Sequence, residues 1–104
     1  MKYGLPESTV EKICAVFSGY PDIERAVLYG SRAKGNFKPA SDIDLTLYGA
    51  SLTAPLCATI ADALDELLLP YEIDLSLFDS LDSLELRQHV ARVGVVFYQR
   101  RKQP

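Results

Sequence analysis

The sequence predicts an α/β (α+β) domain built in the order helix, strand, strand, helix, strand, helix and a short extended tail. Three segments carry apolar residues at helical spacing, and two others alternate polar and apolar residues with the period of a strand. Glycine or proline separates these segments. The 104 residues suit a single domain, 1–104, with an ordinary core and little space for a second domain.

The first helix and the first strand are predicted from local patterns. Ser8 and Glu11 stand at capping-box spacing and predict the start of the helix, and Gly19 predicts its end. The apolar stripe of this helix comprises Val10, Ile13, Cys14 and Phe17. The mostly apolar run 26–29 then predicts a buried strand that stops at Gly30.

The middle of the chain predicts a loop, a strand and a helix. Residues 31–41 are small, polar and basic, which favours a loop with one helical turn at its start. The alternation over 42–48 predicts a half-buried strand. Thr53 predicts the cap of the next helix, and Pro70 predicts its end. The predicted apolar face of this helix comprises Leu56, Ile60, Leu64, Leu67 and Leu68.

The last third of the chain predicts a third strand, a last helix and an edge strand. Residues 72–78 alternate with a period of two. The last helix starts within 80–83 and ends at Gly94, and 95–98 predicts a short edge strand. The apolar face of that helix comprises Leu86, Val90 and Val93.

Charge and cysteine content narrow the class of protein. A net charge of −3 argues against a broad nucleic-acid surface but permits a local phosphate site. Cys14 and Cys57 stand apart from any Cys/His cluster, which argues against zinc and fits a reducing cytoplasm. The chain shows neither a secretory h-region nor an apolar run of about 18 residues, so we expect a cytoplasmic protein without a membrane partner.

Three aspartates form a candidate metal site. Asp42 and Asp44 are two positions apart on a predicted strand, so both side chains point to the same face. Two carboxylates repel each other, and a divalent cation such as Mg²⁺ removes the repulsion. Asp74 is likewise a polar position in the polar/apolar alternation of the third predicted strand. Its side chain would lie beside those of Asp42 and Asp44 if the second and third strands are neighbours. The set would then hold one or two ions, as in two-metal phosphoryl chemistry.

A glycine-containing turn is the candidate phosphate site. Gly30 follows the first strand directly, and its lack of a Cβ lets the backbone approach a ligand closely. Ser31 adds a hydroxyl, and a helical turn starting there would present free N–H groups to phosphate. Arg32 and Lys34 could add positive charge to the same anion.

Each of these features has a simpler explanation when taken alone. A Gly-Ser pair is usually only a turn, and an Asp-x-Asp pair is more often an exposed strand end. Taken alone, Arg32 and Lys34 would be interpreted as charged side chains that face solvent. Asp74 alone would be interpreted as a surface residue of an edge strand. The combination is more specific because order and spacing must agree.

That combination resembles a known family. Gly30-Ser31, ten intervening residues and Asp42-x-Asp44 are similar to the motif of the polymerase-β-like nucleotidyltransferase superfamily. The strings YGSRAKG from Tyr29 and SDIDL from Ser41 resemble its minimal nucleotidyltransferase (MNT) family, over nearly the whole chain.

The resemblance carries expectations about fold and chemistry. It implies the nucleotidyltransferase fold, with a small mixed sheet of three to four strands packed against about three helices. It implies a Mg²⁺–ATP site with Gly30 and Ser31 at the phosphates and with Asp42 and Asp44 on the metal. Asp74 would be the third acid, either a metal ligand or the base that activates the acceptor.

The resemblance also implies a partner. Many similar proteins are antitoxins that transfer AMP from ATP to a tyrosine of a HEPN-domain toxin. A chain of 104 residues independently leaves no separate acceptor-binding domain, so the acceptor would be small or would be presented by another chain. Two alternatives stay open: a non-catalytic module that neutralises its partner by binding, and a transferase for a small-molecule acceptor, aided by a dimer or a companion substrate-binding subunit. Assembly of this chain into a homo-oligomer or a hetero-oligomer would be compatible with these functions.

One residue is not assigned to the site from sequence. His89, the single histidine, lies in the middle of the last predicted helix without a second ligand nearby in sequence. We expect it to have a surface or capping role.

Overall fold

The computed structural model describes residues 1–101 and contains the predicted order of elements. Most boundaries agree with the sequence-based ones within one or two residues. The helices and strands are α1 (Glu7–Ser18), β1 (Arg25–Tyr29), α2 (Ser31–Lys34), β2 (Ile43–Tyr48), α3 (Ala54–Asp65), β3 (Ile73–Leu77), a 3₁₀ turn (Phe78–Ser80), α4 (Leu84–Val93) and β4 (Val95–Gln99).

The four strands form one mixed sheet in the order β3-β2-β1-β4. β1 pairs antiparallel with both β2 and β4, whereas β2 and β3 run parallel. Parallel neighbours need a long crossover, and α3 supplies it. The predicted α/β fold with a small mixed sheet is therefore confirmed, and β4 is an edge strand as predicted.

The two faces of the sheet have different environments. One face packs against α1 and α3 and forms the main core, which comprises Leu5, Ile13, Phe17, Ile23, Ala26, Leu28, Ile43, Leu45, Leu47, Ile60, Leu64 and Phe97. On the other face, Val90 of α4 covers Val27 and Tyr29 of β1. The acidic ends of β2 and β3 lie beyond this contact and stay accessible to ligands, with Asp74 exposed and Asp44 half-buried. Among residues 1–101, no helix has the length and apolar character needed to cross a membrane.

The start of α1 differs from the prediction. Pro6 occupies the N-cap position without any side-chain cap, and Ser8 lies inside the helix, so the predicted capping box at Ser8 is wrong. Leu5 is fully buried and anchors the chain just before the helix. Tertiary packing of Leu5 therefore sets the start of α1. Pro6 is compatible with this position because its fixed φ allows the chain to enter a helix.

The end of α3 also differs. The helix ends at Asp65, several residues before Pro70, and Leu68 adopts a left-handed φ of 54°. The Leu68 side chain is 88% exposed, so its predicted place on the apolar face is wrong. The chain has to turn back at this point to enter β3 parallel to β2, and that reversal interrupts the helical pattern.

Replacing Leu68 with glycine should stabilise the protein. A left-handed φ costs an L-residue about 1–2 kcal/mol, and glycine removes this cost while its extra freedom in the unfolded chain offsets part of the gain. We expect a net gain of roughly 0.5–1 kcal/mol, which corresponds to a rise of about 3–5 °C in thermal denaturation followed by circular dichroism. The neighbouring Leu69 packs against the core, so Leu69→Gly should lower the melting temperature. A drop of equal size in both variants would contradict the prediction.

Candidate active site

Strand register places three polar side chains in one row. Tyr29 of β1 pairs with Asp44 of β2, and Asp44 pairs with Asp74 of β3. Neighbouring strands lie about 4.8 Å apart, and paired residues project to the same face. Asp44 therefore lies between a tyrosine and a second aspartate, and β2 and β3 are the neighbours that the candidate site required.

Asp42 completes the acidic group just before β2. Its side chain is exposed, and it borders an open cleft of about 410 Å³ at the beginning of β2 and β3. The residues that line this cleft are Asp42, Asp65, Tyr71, Glu72, Ile73 and Asp74. The cleft thus combines two of the three predicted metal ligands with two further acids.

The electrostatics of Asp44 reflect this crowding. Burial raises the pKa of the Asp44 carboxyl above its ordinary value, and the negative charges of Asp74 and Asp42 raise this pKa further. A divalent cation would relieve both the desolvation and the repulsion, and three carboxylates are the hard oxygen ligands that Mg²⁺ prefers. Over the described part of the chain, no three Asp, Glu, His or Cys side chains are gathered closely enough to surround an ion. The donor set fits Mg²⁺ in chemistry, and the exposed Asp42 and Asp74 side chains would have to turn inwards.

Tyr29 is a buried neighbour of the acids. Burial raises the pKa of the Tyr29 hydroxyl, a hydrogen bond with Ser76 opposes this rise, and the charges of Asp74 and Asp44 add to it. The side chain is 8% exposed, which agrees with the buried strand predicted over 26–29. Tyr29 therefore places a neutral phenol beside Asp44.

Gly30 brings the backbone against the Asp44 carboxylate. Its φ is +76°, which favours glycine, and a Cβ at this position would overlap Asp44 Oδ2. The turn at Gly30 and the acid on β2 are therefore in direct contact. The Gly30 N–H donates a hydrogen bond to His89 Nε2 at 3.3 Å.

Ser31 and Lys34 delimit the short helix α2 that follows this turn. Ser31 opens the helix and is half-buried, whereas Lys34 ends it and is exposed. The Lys34 N–H donates to the Gly30 carbonyl at 3.1 Å, so the glycine is held at both its amide and its carbonyl. The structure thus places Ser31 beside the Gly30 turn and leaves the Lys34 side chain in solvent.

Arg32 has a different environment from the one expected of a phosphate ligand. Its side chain is only 2% exposed. Its guanidinium donates to the carbonyls of Tyr3 at 2.8 Å, Pro39 at 3.1 Å and Ser41 at 2.8 Å. These contacts hold the 35–41 loop against the start of the chain. We infer a structural role for Arg32, in place of the predicted phosphate contact.

His89 is the residue that sequence reasoning missed. Besides its bond to Gly30, its ring meets Tyr29 edge-on, with centroids 6.3 Å apart and an interplanar angle of 81°. His89 is half-buried, so the predicted surface role is wrong. The capping role agrees in part, because Nε2 accepts the N–H of Gly30, the N-cap residue of α2. One local signal was present, because His89 lies three residues after Leu86 and so shares the helix face that packs on β1.

The sequence matches the family described as Polymerase beta, Nucleotidyltransferase over residues 11–103. The chain belongs to this family. The match covers nearly the whole chain, including the Gly30 turn and all three aspartates. No curated protein sequence matches the chain significantly.

Solved structures of toxin–antitoxin complexes resemble the domain. One, a crystal structure of a toxin–antitoxin with AMP-PNP, is 26% identical, covers 92% of this chain and 75% of the other, and has a TM-score of 0.69. A chain of the MntA–HepT toxin–antitoxin is 23% identical, with coverage of 91% and 74% and a TM-score of 0.66. A complex of a tri-AMPylated HEPN toxin of Shewanella oneidensis with an MNT antitoxin gives 23% identity, coverage of 90% and 72% and a TM-score of 0.66. The latter two likenesses concern the fold alone.

Proposed function

We propose that this nucleotidyltransferase domain moves AMP from ATP to a hydroxyl acceptor, with Mg²⁺ as cofactor, and that the acceptor is a tyrosine of a HEPN-type toxin. In this role the protein is an antitoxin that acts by AMPylation. The observation that carries the proposal is the position of Asp44, which contacts the Gly30 turn on one side and pairs with Asp74 on the other. One carboxylate thus joins the candidate phosphate and metal sites.

Each residue of the site has a proposed task. Asp42 and Asp44 hold Mg²⁺, and Asp74 is either a further ligand or the base that takes the proton from the acceptor hydroxyl. The acceptor oxygen would form a bond to the α-phosphorus while the bond between the α-phosphorus and the bridging oxygen breaks, so that pyrophosphate leaves. Mg²⁺, when bound, would neutralise charge on the phosphates. Gly30 and Ser31 hold the triphosphate. The missing Cβ of Gly30 lets this turn lie against Asp44, which brings the proposed phosphate and metal positions together. Lys34 is exposed and can turn towards the β- and γ-phosphates.

The choice of nucleotide and partner is supported by one relative above all. The 26%-identical structure is a toxin–antitoxin with the ATP analogue AMP-PNP, which supports both an adenosine triphosphate donor and a toxin partner. The acidic cleft next to Asp74 is open, so a tyrosine carried by another protein can reach it. Cys14 and Cys57 are free thiols, and we propose the reducing cytoplasm as the site of action.

A transfer assay tests the proposal. The protein would be incubated with Mg²⁺, ATP labelled at the α-phosphate, and its co-purifying partner or the product of the adjacent gene. We expect label on the partner and a mass increase equal to AMP, and no label with Asp42→Ala/Asp44→Ala. A stable complex that never acquires label from any nucleoside triphosphate would favour the non-catalytic binding module. Label on a free small molecule without a partner would favour the small-molecule transferase.

A further inference from the structure

We propose that His89 is a positioning residue for the nucleotide, which fixes the Gly30–Ser31 turn through its Nε2 atom. The inference rests on the proposed function, because it concerns the same turn. The observations that carry it are the hydrogen bond from the Gly30 N–H to His89 Nε2 and the packing of the His89 ring on Tyr29. His89 is 59 residues away from Gly30 in sequence, so this contact belongs to the tertiary fold.

Gly30 needs such a contact more than another residue would. Glycine adopts left- and right-handed backbone conformations with similar ease, so the glycine itself does not fix the conformation of the turn. In this structure, three contacts fix it. The amide binds His89, the carbonyl accepts from the Lys34 N–H, and the Cα lies against Asp44. Removing the imidazole frees the Gly30 amide and lets the Tyr29–Gly30 peptide plane, which leads into the turn, rotate.

The imidazole itself is held firmly. Its helix, α4, packs on β1 through Val90, which is 2% exposed. On the same helix, Arg87 Nε donates to the Leu81 carbonyl at 2.8 Å, which ties α4 to the preceding segment. The ring of His89 then meets Tyr29 edge-on, a geometry that aromatic pairs favour. His89 is thus a rigid acceptor on an element separate from the turn that it holds.

The acceptor atom and the ring make separate contributions that two substitutions distinguish. Glutamine places its Oε1 near the position of Nε2 and accepts the same bond, whereas phenylalanine keeps the ring on Tyr29 and provides no acceptor. We expect His89→Gln to behave almost as the unmodified protein. For His89→Phe we expect about tenfold weaker binding of AMP-PNP, because a lost hydrogen bond of roughly 1.4 kcal/mol corresponds to that factor.

The experiment is calorimetric titration of AMP-PNP with Mg²⁺ into the full chain, followed by kinetics with ATP and the partner. For His89→Phe we expect KM for ATP to rise about tenfold while kcat changes by less than about twofold, since the bond acts on bound nucleotide before transfer. Gln88→Ala, an exposed neighbour on the same helix, is the control and should leave both constants unchanged. Circular dichroism verifies that each variant is folded.

Two results would overturn the inference while leaving the proposed function in place. Unaltered AMP-PNP binding in His89→Phe would show that the acceptor is dispensable. Equal defects in His89→Gln and His89→Phe would mean that the imidazole acts in another way, for example by donating a proton to phosphate. Failure of the unmodified chain to bind AMP-PNP or to transfer label would overturn the proposed function itself, and the inference with it.

Discussion

Asp44→Asn should reduce AMP transfer about a thousandfold and, in metal-free buffer at pH 7, raise the melting temperature. The loss of activity follows because asparagine contributes no negative charge to hold Mg²⁺. Metal-assisted charge stabilisation is worth several kcal/mol, and about 4 kcal/mol corresponds to a thousandfold change in rate. The same substitution removes a carboxylate that folding crowds against Asp74 and Asp42.

The direction of the stability effect follows from the pKa of Asp44. Its value is raised in the folded protein above the ordinary 3.8, so the ionised form destabilises the fold at pH 7. This destabilisation disappears as the pH falls through the folded pKa towards 3.8. The melting temperature of the unmodified protein, measured relative to that of Asp44→Asn at the same pH, should therefore increase over that acidic range.

Metal addition provides a second test of Asp44. Millimolar Mg²⁺ should raise the melting temperature of the unmodified protein by binding the folded state, and it should have much less effect on Asp44→Asn. Asp62→Asn, an exposed position on α3, is the matched control and should change neither activity nor Mg²⁺ response. Transfer by Asp44→Asn at more than about a tenth of the normal rate would contradict the metal assignment.

Arg32→Met should be the most destabilising single substitution that we predict. It should lower the free energy of unfolding by about 3 kcal/mol, because three carbonyls lose a charged donor that is itself buried. A loss of this size corresponds to a drop of about 15 °C in melting temperature for a domain of this length. Arg32→Lys should be nearly as harmful, since a single ammonium lacks the planar fork that reaches all three acceptors. Urea denaturation provides the measurement.

Lys34→Met provides the comparison within the same helix. Lys34 is exposed, so its replacement should change stability by less than about 0.5 kcal/mol while weakening ATP binding if the side chain contacts phosphate. The two basic residues of α2 would then have separate tasks, one in folding and one in binding. Unchanged stability of Arg32→Met together with weaker ATP binding would instead restore the sequence-based role of Arg32 as a phosphate ligand.

Local sequence patterns were sufficient to predict the structure wherever the conformation of a segment depends mainly on its own residues. A half-buried strand was expected around Asp44 because polar and apolar residues alternate there, and β2 agrees, with Ile43 and Leu45 buried and Asp44 half-buried between them. The Thr53 cap was also predicted, and its side chain accepts the Leu56 N–H at 3.3 Å. Local reasoning failed at Leu68, because the reversal into β3 ends the helix before its apolar pattern does.

The sequence by itself determined the order of elements, the turn after β1 at Gly30-Ser31 and the places of Asp44 and Asp74 on strands, since each depends on neighbours a few residues apart. Only the tertiary structure decided that Asp74 pairs with Asp44, that Arg32 anchors the loop to Tyr3, and that His89 holds Gly30. The last two contacts join residues separated by 29 and 59 positions. Such pairs arise because sheet pairing and helix packing bring distant segments together. The local periodicity of the sequence carries no information about which side chains are then in contact.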